Sequence, residues 1–233
     1  MKTKINLVYF SCGRDQDMLE LSIMSSLAQR DFNKIFVFSD PNDPIKKTFS
    51  DAVVIPREKG SLKLYGLDNI RDMHSCMKLA AEDCDYVLKK DSDILDCSNY
   101  AYRELENGSW DCYGTFPMAR SNIIPENHFN GNAYFIKSDI VKRFPEKFPE
   151  GVAVWGLLDY PEDMVTSSIC ATLTGNTRID GAAHYRDGRY LFDVFLSNVA
   201  SKSKDEIKRY GFAHCRSNYK IMEYLILKIY DAA

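Results

Sequence analysis

Among 233 residues there is no apolar run approaching the roughly 20 that an α-helix needs to cross a bilayer. Charge of one sign is also missing: 30 Lys and Arg stand against 33 Asp and Glu, a formal net charge of −3. That balance excludes a general attraction for nucleic acid or for an anionic membrane surface, so any phosphate must be held by local groups. The seven cysteines, at 12, 76, 84, 97, 112, 170 and 215, form no C-x-x-C pair and are odd in number. A disulfide framework or a zinc site needs tighter grouping, so buried reduced thiols and a cytoplasmic setting are expected. No internal repeat or low-complexity segment is present. The apolar run at 5–10 is too short, and too soon followed by Gly13, for a signal peptide. Any contact with a membrane would thus be peripheral.

What is there fits one globular α/β unit: 45% of residues are hydrophobic and 27% charged. Short apolar runs predict strands over 5–10, 34–38, 52–55 and 86–88. Apolar residues at helical spacing, such as Met18, Leu19, Ile23 and Leu27, predict helices over 15–29 and 68–82. This alternation implies right-handed crossovers and a mostly parallel central sheet. The later chain predicts strands over 111–116 and 133–136 and helices over 138–144, 161–173 and 217–229, a smaller mixed part of the same single domain. In parallel sheets ligands bind beyond the carboxyl ends of the strands. Ser11–Arg14, Ser39-Asp40 and Asp91–Asp93 all fall at such ends and converge on one rim.

Asp91-Ser92-Asp93 carries the most chemistry. Two carboxylates one residue apart, just after a strand, can share a hard cation, Mn²⁺ or Mg²⁺, whose remaining ligands are phosphate oxygens. The plainer alternative is a solvated acidic turn. Phosphate needs positive partners, and Arg14, Arg71 and Lys78 are candidates, with a solvated helix face the alternative for the last two. Lys89 and Lys90 alternate along a strand, so at most one points toward the site. Glu162 and Asp163 follow Pro161 in the first turn of a helix, where the dipole alone favours acids. His214 is either an imidazole metal ligand or a histidine at a strand end. Phe129, Tyr134 and Trp155 lie in or beside loops, where an aromatic face can stack on a sugar.

Taken in order, these segments resemble the GT-A nucleotide-sugar glycosyltransferases. The resemblance rests on the opening strand with Ser11-Cys12-Gly13-Arg14, the strand ending at Asp40, and Asp91-Ser92-Asp93. Phe129-Asn130-Gly131-Asn132, Trp155-Gly156, Pro161-Glu162-Asp163 and Gly211-Phe212-Ala213-His214 continue it over most of the chain. It implies a GT-A-like (Rossmann-like) domain whose half at 1–97 binds the nucleotide sugar and whose half at 98–233 shapes the acceptor cleft. Ser11, Cys12, Arg14 and Asp40 would then surround the nucleoside of a UDP-sugar. Asp91, Ser92, Arg71 and Lys78 would attend the diphosphate, and Asp91, Asp93 and His214 would hold Mn²⁺ or Mg²⁺. Resemblance to inverting members implies Asp163 as the base that deprotonates an acceptor hydroxyl, with Glu162 binding the acceptor. The donor sugar and the stereochemical outcome are left open.

Three other readings compete. A haloacid-dehalogenase-like phosphatase would use Asp91 as nucleophile and Asp93 as acid. Its motif usually opens the domain, and it carries Thr or Val where this chain has Leu95. A non-catalytic nucleotide-sugar-binding module would share the metal and nucleotide groups but has no use for a base. A sugar nucleotidyltransferase opens with a Gly-rich phosphate loop, whereas Ser11–Asp15 contains only Gly13.

Overall fold

The computed structural model describes residues 2–59, 67–108, 110–114, 131–145, 162–174, 189–194 and 199–230. Four strands, β1 (Ile5–Ser11), β2 (Lys34–Ser39), β3 (Val53–Pro56) and β4 (Tyr86–Lys90), lie parallel in the order β3-β2-β1-β4. β1 is buried along its whole length, because a central parallel strand is covered on both faces and so carries a near-continuous apolar run. Two further strands, β6 (Cys112–Gly114) and β7 (Ala133–Lys137), complete a six-stranded sheet beyond β4. β7 runs antiparallel to both β4 and β6, the one reversal among the described strands of this sheet. β5 (Ile94–Asp96), β8 (Leu191–Asp193) and β9 (Phe212–His214) form a small mixed sheet in the order β5-β9-β8.

Helices cover both faces. α2 (Leu67–Ala80), α4 (Ser138–Lys142) and α5 (Glu162–Thr174) lie on one side, where Ile70, Met73, Met77, Val165 and Ile169 meet Val8, Phe36, Val87 and Ile136. α1 (Gln16–Leu27) and α3 (Tyr100–Asn107) lie on the other, where Leu19, Ile23, Tyr102 and Leu105 meet Leu7, Val37, Leu88 and Phe135. α6 (Lys204–Ile207) and α7 (Tyr219–Tyr230) enclose a third cluster with Leu95, Ala213 and Met222. α6 starts with a capping box, Ser203 and Glu206 each satisfying the other's backbone N–H. All seven cysteines are free thiols. Among the described residues, no helix is long and apolar enough to cross a membrane.

One buried histidine joins two helices of the first face. His74 of α2 is 2% exposed, and its Nε2 lies 2.9 Å from Thr166 Oγ1 on α5. Burial, reinforced by Lys78, lowers its pKa to about 3. The unfolded chain takes up this proton near pH 6.5, so between the two values the unfolded state binds more protons. Stability from His74 is complete above about pH 6.5 and is lost as pH falls toward 3, amounting to about 2 kcal/mol by pH 5. Urea midpoints followed from pH 7.5 to 4.5 should therefore fall less steeply in His74→Gln. Parallel slopes would contradict this.

Candidate functional site

The sheet topology brings four chain segments to one place. β4 ends at Lys90, so Asp91 emerges at the carboxyl rim. Because β7 is reversed, its first residue pairs with Lys90, and Gly131 and Asn132 lie at that same rim. The Asp91 N–H donates to Asn132 O at 2.8 Å. In the small sheet, Ile94 pairs with His214, and the Cys215 N–H donates to Asp93 O at 2.9 Å, which draws the end of β9 against the acidic pair. Finally, α5 begins beside Gly131, whose N–H donates to Asp163 Oδ2 at 2.9 Å.

Asp93 is 8% exposed and accepts from the Ser217 N–H at 2.7 Å and the Ser217 hydroxyl at 3.2 Å. His214 Nε2 lies 3.4 Å from the same carboxylate oxygen, and His214 Nδ1 lies 3.2 Å from Asn132 Nδ2. Burial alone would raise the Asp93 pKa, but the His214 and Ser217 contacts outweigh it and hold it below the usual carboxylate range. Arg216 and Ser217 both adopt left-handed backbone, at φ 52° and 54°. Non-glycine residues reach that region at a cost of about 1–2 kcal/mol each, and here it delivers the Ser217 N–H to Asp93.

Asp91 is turned differently. Its Oδ1 accepts from Lys89 Nζ at 2.6 Å, and its side chain keeps 31% exposure. Burial pushes the Asp91 carboxyl up, Lys89 offsets part of the rise, and nearby Asp93 adds to it. Lys89 is 0% exposed and also donates to Gly131 O. Burial would lower the Lys89 pKa, but Asp91 and Glu162 more than restore it, so the ammonium stays charged. Asp91, Glu162 and Asp163 all act on this ammonium, and Asp93 acts on Asp91. The carboxylates outnumber the cation they share, an imbalance suited to a divalent ion. Among the described residues, no three or more His, Cys, Asp and Glu side chains converge as a ready-made metal cage.

The two acids of α5 face apart. Glu162 is 1% exposed; its Oε1 accepts from Tyr134 and from Thr166 Oγ1 at 2.8 Å, and its Oε2 faces Lys89 Nζ at 3.9 Å. Burial pushes its carboxyl up against the pull of Lys89. Glu162 therefore points into the core. Asp163 is half-buried, with Oδ1 taking the Met164 N–H at 2.9 Å and Oδ2 the Gly131 N–H. A Cβ on residue 131 would lie 3.1 Å from Asp163 Oδ2, so glycine permits this close approach.

The nucleoside-side residues occupy the ends of β1 and β2. Ser11 is 1% exposed and its Oγ has no hydrogen-bond partner, while its carbonyl accepts the Asp40 N–H at 2.9 Å. Asp40 is 6% exposed and caps Asn42 N at 2.8 Å. Gly13 packs so tightly on the 43–44 turn that a Cβ would meet Asp43 Oδ1 at 2.6 Å. Cys12 is buried and its thiol is pushed up to about 11, chiefly by that burial, which makes it unreactive. Arg14 is largely exposed and paired with Asp15 at 3.1 Å. A cavity of about 320 Å³, lined by Arg14, Asp15, Met18 and Ser217 among others, lies between this end of β1 and the Asp93 partner segment. Ser92 is buried between the two acids.

Two helix residues fare differently. Arg71, near the start of α2, pairs with Asp68 at 3.2 Å beside a second cavity at the end of β3. Lys78 lies in the last turn of α2, which returns to the start of β1, where Asn6 Nδ2 donates to Ala80 O at 2.7 Å. Helix rise over about 13 residues separates the two ends of α2 by about 20 Å, so Lys78 is not brought to the Asp91 rim. Tyr134, expected to offer a face to sugar, is buried with its hydroxyl on Glu162. Lys89, Asn132 and Ser217 are the site residues that sequence reasoning did not assign. Phe129, Asn130, Trp155, Gly156 and Pro161 lie outside the described residues.

No family model matches this chain, and no curated protein matches it. Solved structures do. A galactosyltransferase, LgtC, in complex with donor and acceptor sugar analogs matches with a TM-score of 0.59 at 14% identity, over 94% of each chain. An active-site mutant of LgtC gives 0.58 at the same identity and coverage. Mouse xyloside xylosyltransferase 1, in its apo form, gives 0.52 at 10% identity, over 93% of this chain and 98% of that one. With its parallel sheet, reversed β7 and acidic pair at the end of β4, the chain has the GT-A glycosyltransferase fold.

Proposed function

We propose that this protein is a divalent-cation-dependent glycosyltransferase that moves a hexosyl or pentosyl group from a nucleotide diphosphate, a UDP-sugar, to a hydroxyl of a glycan or other acceptor. The observation that carries this reading is the meeting of Asp93, His214 and Asp91 with Asp163 at one strand rim. Asp93 and His214 supply an oxygen and a nitrogen 3.4 Å apart, and Asp91 adds a second, more open carboxylate. Mn²⁺ and Mg²⁺ are commonly held by one or two carboxylates with substrate phosphates completing the shell, so a full protein cage is not required. A turn of the Asn132 amide would let it accept from His214 Nδ1–H and leave the Nε2 lone pair for the ion. The ion, when bound, supplies positive charge against the departing diphosphate.

The chain's own residues do the rest. The unpartnered Ser11 hydroxyl and Asp40 face the nucleoside from the half at 1–97, with Arg14 and the Cys12 backbone beside them. Ser92 and Arg71 border the diphosphate. Asp163, oriented by two backbone N–H groups, accepts the proton of the attacking acceptor hydroxyl in a direct, inverting displacement. Glu162 orders the acceptor side from within, through Tyr134 and Thr166. Seven free thiols suit a reducing, cytoplasmic setting, with membrane-linked acceptors reached by peripheral contact.

Asp163→Asn preserves an acceptor for the Gly131 N–H but removes the base. Turnover of a UDP-sugar should fall about 10²–10⁴-fold while donor binding is unchanged. Equal turnover in the variant would remove Asp163 from the reaction. A product with retained anomeric configuration would likewise remove the base step.

A further inference from the structure

We propose that Lys89 is a positioning residue: its buried ammonium holds Asp91 and, through the Gly131 peptide, Asp163 in one fixed relation. The inference rests on the reading of Asp91 as the donor-side carboxylate and Asp163 as the base.

The geometry is a short bridge. Lys89 Nζ donates to Asp91 Oδ1 at 2.6 Å and to Gly131 O. The Gly131 N–H donates to Asp163 Oδ2 at 2.9 Å, so Gly131 is pinned at both ends. Asp91 N in turn donates to Asn132 O, closing a loop of contacts around the start of β7. One side chain and one glycine thus span the two carboxylates that would face donor and acceptor.

Lysine is a costly choice here. Strand alternation puts Lys89 on the same face as Val87, among Val8, Met73, Ile136 and Val165. An aliphatic side chain would fill that position without desolvating a charge, and buried ion pairs seldom exceed an apolar replacement in stability. What the ammonium adds is direction: its donors fix where Asp91 and Gly131 stand. Reacting groups displaced by about 1 Å can lose about 10²-fold in rate.

Lys89 also faces buried Glu162 at 3.9 Å, so the alternative role is charge balance for Glu162 alone. A double-mutant cycle separates the two. Lys89→Met, Glu162→Gln and the pair are compared with wild type for steady-state transfer from a UDP-sugar, with thermal melts run alongside. Lys89→Met should lower kcat by about 10²-fold, more than it raises the donor KM. The same fold loss should follow when Lys89→Met is made in the Glu162→Gln background, even though the double variant melts nearer to wild type than Lys89→Met does. If Lys89→Met costs nothing in that background, Lys89 acts only through Glu162 and the proposal is overturned. It is also overturned if Lys89→Met keeps wild-type kcat. A wild-type protein that turns over no UDP-sugar would instead overturn the glycosyltransferase reading, and this inference with it.

Discussion

Asp93→Asn is expected to abolish the dependence of turnover on Mn²⁺ or Mg²⁺ and to lower turnover by more than about 10²-fold. Loss of a residue that merely orients a metal ligand typically costs about 10–100-fold, and a direct ligand should cost at least as much. The substitution is close to isosteric, and its amide oxygen can still accept the Ser217 N–H that Asp93 takes at 2.7 Å. The fold should therefore survive while the charge that faces His214 at 3.4 Å is lost. Mn²⁺ should raise the melting temperature of the wild type in the presence of UDP and leave that of Asp93→Asn unmoved. A variant with unaltered metal response would place the cation elsewhere.

The second large effect concerns stability. Lys90, the last residue of β4, projects to the opposite face from Lys89 and forms an ion pair with Asp96 in which neither side chain is exposed. Asp96 also accepts from Ser26 Oγ at 2.8 Å and Tyr102 OH at 2.5 Å, and Lys90 Nζ donates to Ser26 Oγ at 2.6 Å. Burial would lower the Lys90 pKa, but Asp96 outweighs it and keeps the ammonium charged. Asp96→Ala leaves that charge without a counterion, and breaking one side of such a pair costs about 3–5 kcal/mol. For a chain of this size the melting temperature should drop by roughly 10 °C. Adding Lys90→Met should recover much of the loss, because the apolar pair no longer strands a charge. A single variant with wild-type urea midpoint would show that Lys90 finds another partner.

The pair of lysines also shows what the sequence could and could not convey. Period-two alternation correctly sent Lys89 and Lys90 to opposite faces, but it does not reveal that both are buried ion-pair centres. That depends on Asp96, Glu162 and Gly131, which lie far away in the chain or on another element. The long strands β1, β2 and β4 and helices α1, α2, α5 and α7 were legible because each carries a full apolar period. β5, β8 and β9, of three residues each, and α3, of eight, were not predicted. The small sheet that draws His214 against Asp93 was therefore legible only through the Phe212-Ala213-His214 motif. An apolar run carries no arrow, so although a mixed later part was expected, the reversal could not be placed in β7, nor the arrival of Gly131 and Asn132 beside Asp91 foreseen. Neighbouring acids at a helix start look alike in sequence. Only the packing of α5 on Tyr134, with Thr166 one turn further along the helix, separates buried Glu162 from half-buried Asp163. Lys78 failed for a simple reason of length: about ten residues beyond Asp68, a helix has already left the rim.

The central claim is that the rim around Asp91, Asp93 and His214 holds a nucleotide sugar through a divalent cation. Its most direct measurement is equilibrium binding of UDP- and GDP-sugars to the purified protein, with Mn²⁺ and with the ion chelated. A UDP-sugar that binds and turns over with Mn²⁺, and does neither after chelation, is the expected result. Binding of no nucleotide sugar in either condition would contradict the account.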